Sequence, residues 1–242
     1  MTVYGGDGDD VFDTDREQTA ATIITIGASL FGDAGNDKMS LPENTPKMYG
    51  YGGTGDDKII FYGTSAFMEV EGNDGDDIIY GTDGIGVAGG PRQQKIYGDE
   101  SNTSITANAD LAGVGGDDKI YGGSDMLSNF IYAGGPANDL ISLGSNLTGT
   151  QLVFGDNFSA TPLTEDDTAL NQADGDDIIT LGNNIRGTTK VYGQGGNDKI
   201  VGGYEDGTSP PQVEFFHGGS GDDKIWMVSP ENRALDVYGN GT

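Results

Sequence analysis

One short loop returns nine times along this chain, a glycine-rich turn that always ends on an aspartate. Self-similarity at a fixed period restricts the fold to a repeat architecture before any other signal is weighed. The loops are Gly5-Gly6-Asp7-Gly8-Asp9-Asp10, Gly32-Asp33-Ala34-Gly35-Asn36-Asp37, Gly52-Gly53-Thr54-Gly55-Asp56-Asp57 and Gly72-Asn73-Asp74-Gly75-Asp76-Asp77. Next come Gly115-Gly116-Asp117-Asp118, Gly134-Gly135-Pro136-Ala137-Asn138-Asp139 and Asp174-Gly175-Asp176-Asp177. The last two are Gly193-Gln194-Gly195-Gly196-Asn197-Asp198 and Gly218-Gly219-Ser220-Gly221-Asp222-Asp223. The residue before the final aspartate is Asp or Asn each time.

Successive final aspartates stand 27, 20, 20, 41, 21, 38, 21 and 25 residues apart, which sets a coil of about 20 residues. The two long gaps have a local cause. In seven loops the first glycine precedes the aspartate by five residues, whereas Gly98 to Asp118 is 20 and Gly155 to Asp177 is 22. Insertions of about 15 and 17 residues, near Asp99–Ala112 and Asp156–Gln172, therefore leave the same side of one solenoid spanning residues 1–242.

Strands flank each loop. Before it stands a two-residue pattern: Val3-Tyr4, Leu30-Phe31, Met48-Tyr49, Val70-Glu71, Ile96-Tyr97, Ile131-Tyr132, Val153-Phe154, Val191-Tyr192, Phe216-His217 and Val237-Tyr238. Two positions after the aspartate comes one apolar residue: Phe12, Met39, Ile59, Ile79, Ile120, Ile141, Ile179, Ile200 and Ile225. Neighbouring strand residues face opposite ways, so the first member of each pair and this second file point inward as a narrow core. The residue between is lysine five times, Lys38, Lys58, Lys119, Lys199 and Lys224, and faces solvent. The aromatic second members form an outer file, expected to stack on itself as a ladder, with a docking face as the alternative.

Charge then constrains the partners. The chain carries 39 acidic and 12 basic residues, a net charge of −27, and 43 glycines. So acidic a surface is a poor match for nucleic acid or an anionic membrane. No apolar run reaches the ~18 residues that a membrane helix needs, and Met1-Thr2-Val3-Tyr4 enters a repeat without a signal peptide. Cysteine is absent, which removes disulfide and thiolate chemistry. Coils stack at about 4.8 Å. At about 4 Å two unit charges repel by about 1 kcal/mol in water and about 4 kcal/mol at an effective dielectric near 20. Summed over the ladder, that rivals the stability of a whole domain, about 5–15 kcal/mol. Cations must sit between the loops, or the loops must splay. Carboxylate and carbonyl oxygens in a flexible loop suit Ca2+ better than Mg2+.

The loops resemble the hemolysin-type calcium-binding repeats of RTX proteins, whose pattern is G-G-x-G-x-D-x-U-x. The resemblance implies an all-β fold, a right-handed parallel β-roll or β-solenoid of about nine to ten coils with calcium loops along one edge. It implies roughly eight Ca2+ ions between successive loops, held by Asp10, Asp37, Asp57, Asp77, Asp118, Asp139, Asp177, Asp198 and Asp223. The carbonyls implied are those of Gly5, Gly6, Gly8, Gly32, Gly35, Gly52, Gly53, Gly55, Gly72 and Gly75. Those of Gly116, Gly134, Gly135, Gly175, Gly193, Gly196, Gly218, Gly219 and Gly221 complete the set. The motif falls once per coil here, so the opposite side turns through metal-free segments such as Gly63-Thr64-Ser65 and Gly182-Asn183-Asn184. Ala137 departs from the fourth-position glycine.

Catalysis is not expected. The single histidine, His217, fills an aromatic slot, and Arg16, Arg92, Arg186 and Arg233 are scattered. The expectation is a secreted, non-catalytic structural or adhesive module, with head-to-tail self-association or neighbouring solenoid segments as partners. The alternative is the calcium-dependent C-terminal repeat domain of a secreted enzyme or toxin. An ice-binding face is not expected, because the third loop positions form no threonine row.

Overall fold

Every coil lays down one strand that runs into its glycine loop and a shorter one that leaves the aspartate. The computed structural model describes residues 2–13, 27–41, 47–61, 67–81, 93–98, 116–124, 129–156, 175–203, 213–226 and 234–240, and these contain strands and no helix. The longer strands are β1 (Thr2–Asp7), β3 (Ala28–Ala34), β5 (Lys47–Thr54), β7 (Phe67–Asp74), β9 (Gln93–Tyr97), β11 (Asn129–Ala133), β13 (Thr148–Phe154), β15 (Arg186–Gln194), β17 (Val213–Ser220) and β19 (Ala234–Asn240). The shorter ones are β2 (Val11–Asp13), β4 (Lys38–Leu41), β6 (Lys58–Phe61), β8 (Ile78–Tyr80), β10 (Lys119–Tyr121), β12 (Leu140–Ser142), β14 (Ile178–Thr180), β16 (Lys199–Val201) and β18 (Lys224–Trp226). The first set forms a ten-stranded sheet and the second a nine-stranded sheet, each in chain order. All pairings are parallel, as in a solenoid whose coils stack without reversal.

The file after the aspartates behaves as the alternation predicts. Phe12, Met39, Ile59, Ile79, Ile120, Ile141, Ile179, Ile200 and Ile225 are in direct register. From Met39 to Ile200 each is fully buried, and the two end members are partly buried. Each fully buried side chain of this kind contributes about 1.5–3 kcal/mol. The five lysines one position earlier are exposed.

The facing file on the long strands corrects the sequence reading in two coils. Phe31 pairs with Tyr51 and Leu30 with Gly50, so the third coil offers Gly50-Tyr51 and not Met48-Tyr49. Met48 does point inward, but in the next file back, between Ala28 and Met68. In the sixth coil Tyr132 pairs with Ile96 and Val153, and Ala133 pairs with Tyr97 and Phe154. Tyr132 is therefore core, fully buried, while Ile131 faces out. The ring fits because residue 122, opposite it, is glycine: a Cβ there would lie 3.0 Å from the Tyr132 hydroxyl. Leu143 and Leu181 occupy the core in neighbouring coils. A large residue here is balanced by a small one across the core, as close packing requires.

The outer aromatic file stacks in part, at ring-centroid distances of 4.9 Å for Tyr4–Phe31, 4.8 Å for Phe31–Tyr51 and 5.1 Å for Phe154–Tyr192. Glu71 and Ala133 interrupt it. Tyr97, Ala133, Phe154 and Tyr192 are buried on this outer face, in a second apolar cluster with Ile131, Leu152 and Phe215. The opposite turn at Gly182-Asn183-Asn184 is held by its own polar contacts: Asn183 N–H donates to Ser145 Oγ and Asn184 Nδ2 to Asn146 Oδ1. Gly63-Thr64-Ser65 and both insertions, except Asp156, lie outside the described residues. Among the described residues no helix is long and apolar enough to cross a membrane.

Candidate metal centre

The loop backbone is bent by residues that tolerate positive φ. At the second position Gly6, Asp33, Gly53, Asn73, Gly135, Gln194 and Gly219 all have φ between 71° and 121°. The fourth position is more demanding. Gly8, Gly35, Gly55, Gly75, Gly196 and Gly221 have positive φ there. A Cβ on Gly35, Gly55, Gly75, Gly116, Gly175, Gly196 or Gly221 would collide with the fourth-position carbonyl of the preceding coil. Carbonyl oxygens thus stack on the bare face of the next glycine, and only glycine leaves that room.

This curvature aims the aspartates into the rod. The N–H of each fixed aspartate donates to Oδ1 of the fixed aspartate one coil on. The steps run Asp10 to Asp37 (2.7 Å), Asp37 to Asp57 (2.7 Å), Asp57 to Asp77 (2.7 Å) and Asp77 to Asp118 (2.6 Å). They continue through Asp139 (2.8 Å), Asp177 (2.8 Å), Asp198 (2.9 Å) and Asp223 (3.0 Å). A second ladder runs the opposite way through the exposed residue before each. Asn36 N–H donates to Asp9 Oδ1, Asp56 to Asn36, Asp76 to Asp56 and Asp117 to Asp76. Asn138, Asp176, Asn197 and Asp222 continue it. That ladder asks only for an acceptor Oδ1, which both Asp and Asn supply, and the sequence alternates freely between them.

The inner ladder asks for more. With Oδ1 engaged, Oδ2 of Asp10, Asp37, Asp57, Asp77 and Asp223 is buried without a hydrogen-bond partner. It faces the first glycine of its own loop. A Cβ on Gly5 would lie 2.6 Å from both Asp10 Oδ2 and the Gly32 carbonyl. The same pairing of carboxylate and next-coil carbonyl recurs over Gly32, Gly52, Gly72, Gly98, Gly134, Gly155 and Gly193. Two kinds of acceptor are thus brought together, and at Asp10, Asp37, Asp57 and Asp77 the carboxylate oxygen has no donor. An asparagine amide would satisfy that geometry, yet all nine positions are aspartate. A buried acceptor left unmatched costs about 1–3 kcal/mol, so a proton or a cation belongs at each step.

Burial, then the neighbouring carboxylate, moves these groups upward. Asp57 is pushed up to about 7 by burial and by Asp37, and Asp77 to about 9 by burial and by Asp118. Asp37 and Asp223 are raised chiefly by burial. Among the described residues no three carboxylate or imidazole side chains converge on a metal position. A metal at any step would have one carboxylate Oδ2 and backbone carbonyls to draw on, a hard oxygen set of the kind calcium takes.

All nine sequence-predicted aspartates join this one ladder. The predicted glycines sort into three files, at the first position (Gly5, Gly32, Gly52, Gly72, Gly134, Gly193, Gly218), the second (Gly6, Gly53, Gly135, Gly219) and the fourth (Gly8, Gly35, Gly55, Gly75, Gly116, Gly175, Gly196, Gly221). The first-position carbonyls are the ones beside the carboxylates. Sequence reasoning omitted Gly98 and Gly155 as carbonyl donors. Both take the first position opposite Asp118 and Asp177 across the insertions, where the distances of 20 and 22 residues already placed them. It also omitted Asp156, which is buried at the base of the second insertion.

Four stretches of the chain, residues 2–17, 69–87, 190–205 and 213–226, match the RTX calcium-binding nonapeptide repeat. Repeats of this family bind Ca2+ and are typically found in secreted proteins. Neither the curated proteins nor the solved structures include a match to the chain. The unmatched coils carry the same aspartate and carbonyl ladder as the matched ones, so the chain is a parallel β-solenoid in which four stretches are similar to the RTX calcium-binding repeat.

Proposed function

We propose that the chain is a non-catalytic, extracellular structural module whose coils are locked by calcium, serving as a rod within a surface, matrix or adhesive assembly. One observation carries the reading: at Asp10, Asp37, Asp57 and Asp77 a buried carboxylate oxygen without a hydrogen-bond partner is set against a glycine carbonyl of the next coil. Asp10, Asp37, Asp57, Asp77, Asp118, Asp139, Asp177, Asp198 and Asp223 would hold the ions with the first-position carbonyls of the following loops, giving about eight steps. Calcium supplies the positive charge that lets stacked carboxylates stay ionised.

The same geometry argues against catalysis. The raised aspartates Asp37, Asp57, Asp77 and Asp223 all belong to the ladder, so their shifts have a structural cause. Extracellular calcium is high enough to fill such sites, which supports a working place outside the cell. Parallel stacking has one polarity, so the partner it fits is a neighbouring solenoid segment or a second copy added head to tail.

Counting calcium in gel-filtered protein tests the module reading, with about eight ions per chain expected and one or two contradicting a continuous ladder. Recovery of the native polypeptide from medium and cell surface, with its mass measured, separates the structural role from the alternative. A catalytic domain on the same polypeptide would favour the repeat domain of a secreted enzyme.

A further inference from the structure

The seventh loop is cut open. Gly155 and Asp156 open it and Gly175-Asp176-Asp177 close it, with residues 157–174 between them in the sequence. The ladder nonetheless runs through it without a break: Asp139 N–H reaches Asp177 Oδ1 at 2.8 Å and Asp177 N–H reaches Asp198 Oδ1 at 2.9 Å. Gly155 still faces Asp177 Oδ2 and the Gly193 carbonyl, as a first-position glycine does in an uncut loop.

The uncut loops indicate what was lost. In three of them the fourth-position N–H donates to the third-position carbonyl of the next coil: Gly8 to Ala34, Gly35 to Thr54 and Gly55 to Asp74. In the seventh loop this backbone bond is replaced. Gly175 N–H, at the fourth position, donates to Asp156 Oδ1 at 3.1 Å, and Gly195 N–H, at the third position of the next coil, donates to Asp156 Oδ2 at 3.1 Å. The Asp156 carbonyl meanwhile accepts from Gly135 N–H of the preceding coil at 3.3 Å. One residue, about 1% exposed, therefore ties three successive coils together.

We propose that Asp156 is a positioning residue, its carboxylate replacing the backbone that the insertion displaced, so that the cation site spanning the seventh and eighth coils keeps the geometry of its neighbours. Both of its oxygens are taken by N–H donors, so it acts through Gly175 and Gly195 and is not itself a ligand. The inference rests on the calcium reading above.

Deleting residues 157–173 would leave Gly155-Asp156-Asp174-Gly175-Asp176-Asp177, a loop of ordinary length, and this supplies the control. D156A is made in the full chain and in the shortened chain. Calcium per chain, the affinity of the weakest site and amide exchange at Gly175 and Gly195 are then measured. In the full chain D156A should weaken one site by about 10–100-fold, the usual effect of losing a group that orients a ligand. Exchange at both glycines should quicken by about tenfold, as for a lost charge-assisted hydrogen bond. In the shortened chain, where the third-position peptide is restored, D156A should change neither. If D156A does not fold, D156N keeps one acceptor oxygen and should give a partial loss of both signals. Full occupancy and unchanged exchange in either full-length variant overturns the proposal. So does an equal loss of calcium from the shortened chain, which would make the carboxylate a ligand. A wild-type chain that takes up no calcium refutes the calcium reading instead, and exchange at Gly175 and Gly195 still reports whether Asp156 closes the loop.

Discussion

Two adjacent positions in each loop accept chemically similar residues on different terms. The exposed one takes Asp or Asn because its task ends at one acceptor oxygen; Asp56 follows Asn36 in that ladder at 3.0 Å with no change of geometry. The buried one is always aspartate, because its second oxygen meets a carbonyl and needs positive charge in between. Replacement of one fixed aspartate by asparagine therefore has opposite effects in the two states. In chelator D57N should stabilise the chain by about 1–3 kcal/mol, since the amide can donate to the Gly72 carbonyl. In calcium the same variant should bind one ion fewer and lose part of the calcium-dependent rise in Tm. Thermal melts in calcium and the strand signal in chelator at pH 8 check this, and a D57N chain with less strand signal than the parent in chelator would contradict a cation at that step.

The strand elements were read from sequence with unequal success, for a physical reason. The nine-stranded sheet follows the fixed aspartate directly, so counting two residues on finds its whole inner file from Phe12 to Ile225. The ten-stranded sheet leads into the glycine loop, and its register is set by the backbone pairing of successive loops. Met48-Tyr49 and Ile131-Tyr132 look like the other apolar–aromatic pairs but stand too far from Gly52 and Gly134. Measuring back from those glycines gives Gly50-Tyr51 and Tyr132-Ala133, which hydrophobic pattern alone disfavours. The buried outer cluster of Tyr97, Phe154 and Tyr192 had no sequence signal, because strand alternation assigns that face to solvent. The loop element itself was legible down to its irregular member. Ala137 holds φ at 145°, a conformation that costs a side chain about 1–3 kcal/mol. A137G should accordingly raise stability by about 1 kcal/mol, seen as a higher Tm in calcium, while leaving the calcium count unchanged.

Over the whole molecule the ladder makes protons and calcium competitors. Asp57 and Asp77 have folded-state values near 7 and 9, and Asp37 and Asp223 are raised too, all above the unfolded value of about 3.9. The cation-free fold thus binds more protons than the unfolded chain. Its stability is fullest below about pH 4 and falls as pH rises through about 7 to 9. In chelator, acidification from pH 8 should therefore restore strand structure, followed by circular dichroism. In calcium the strand signal at pH 8 should already be complete. A chelated chain that loses structure on acidification would carry the wrong sign.

With 39 acidic residues against 12 basic ones and a core only two strands deep, the chain has little to set against stacked charge at neutral pH. Circular dichroism at pH 8, first in excess chelator and then on titration to millimolar calcium, measures this most directly. We predict a disordered spectrum in chelator and a cooperative return of parallel-strand signal as calcium is added. A strand spectrum that persists unchanged after complete chelation would contradict a fold held by cations between its coils.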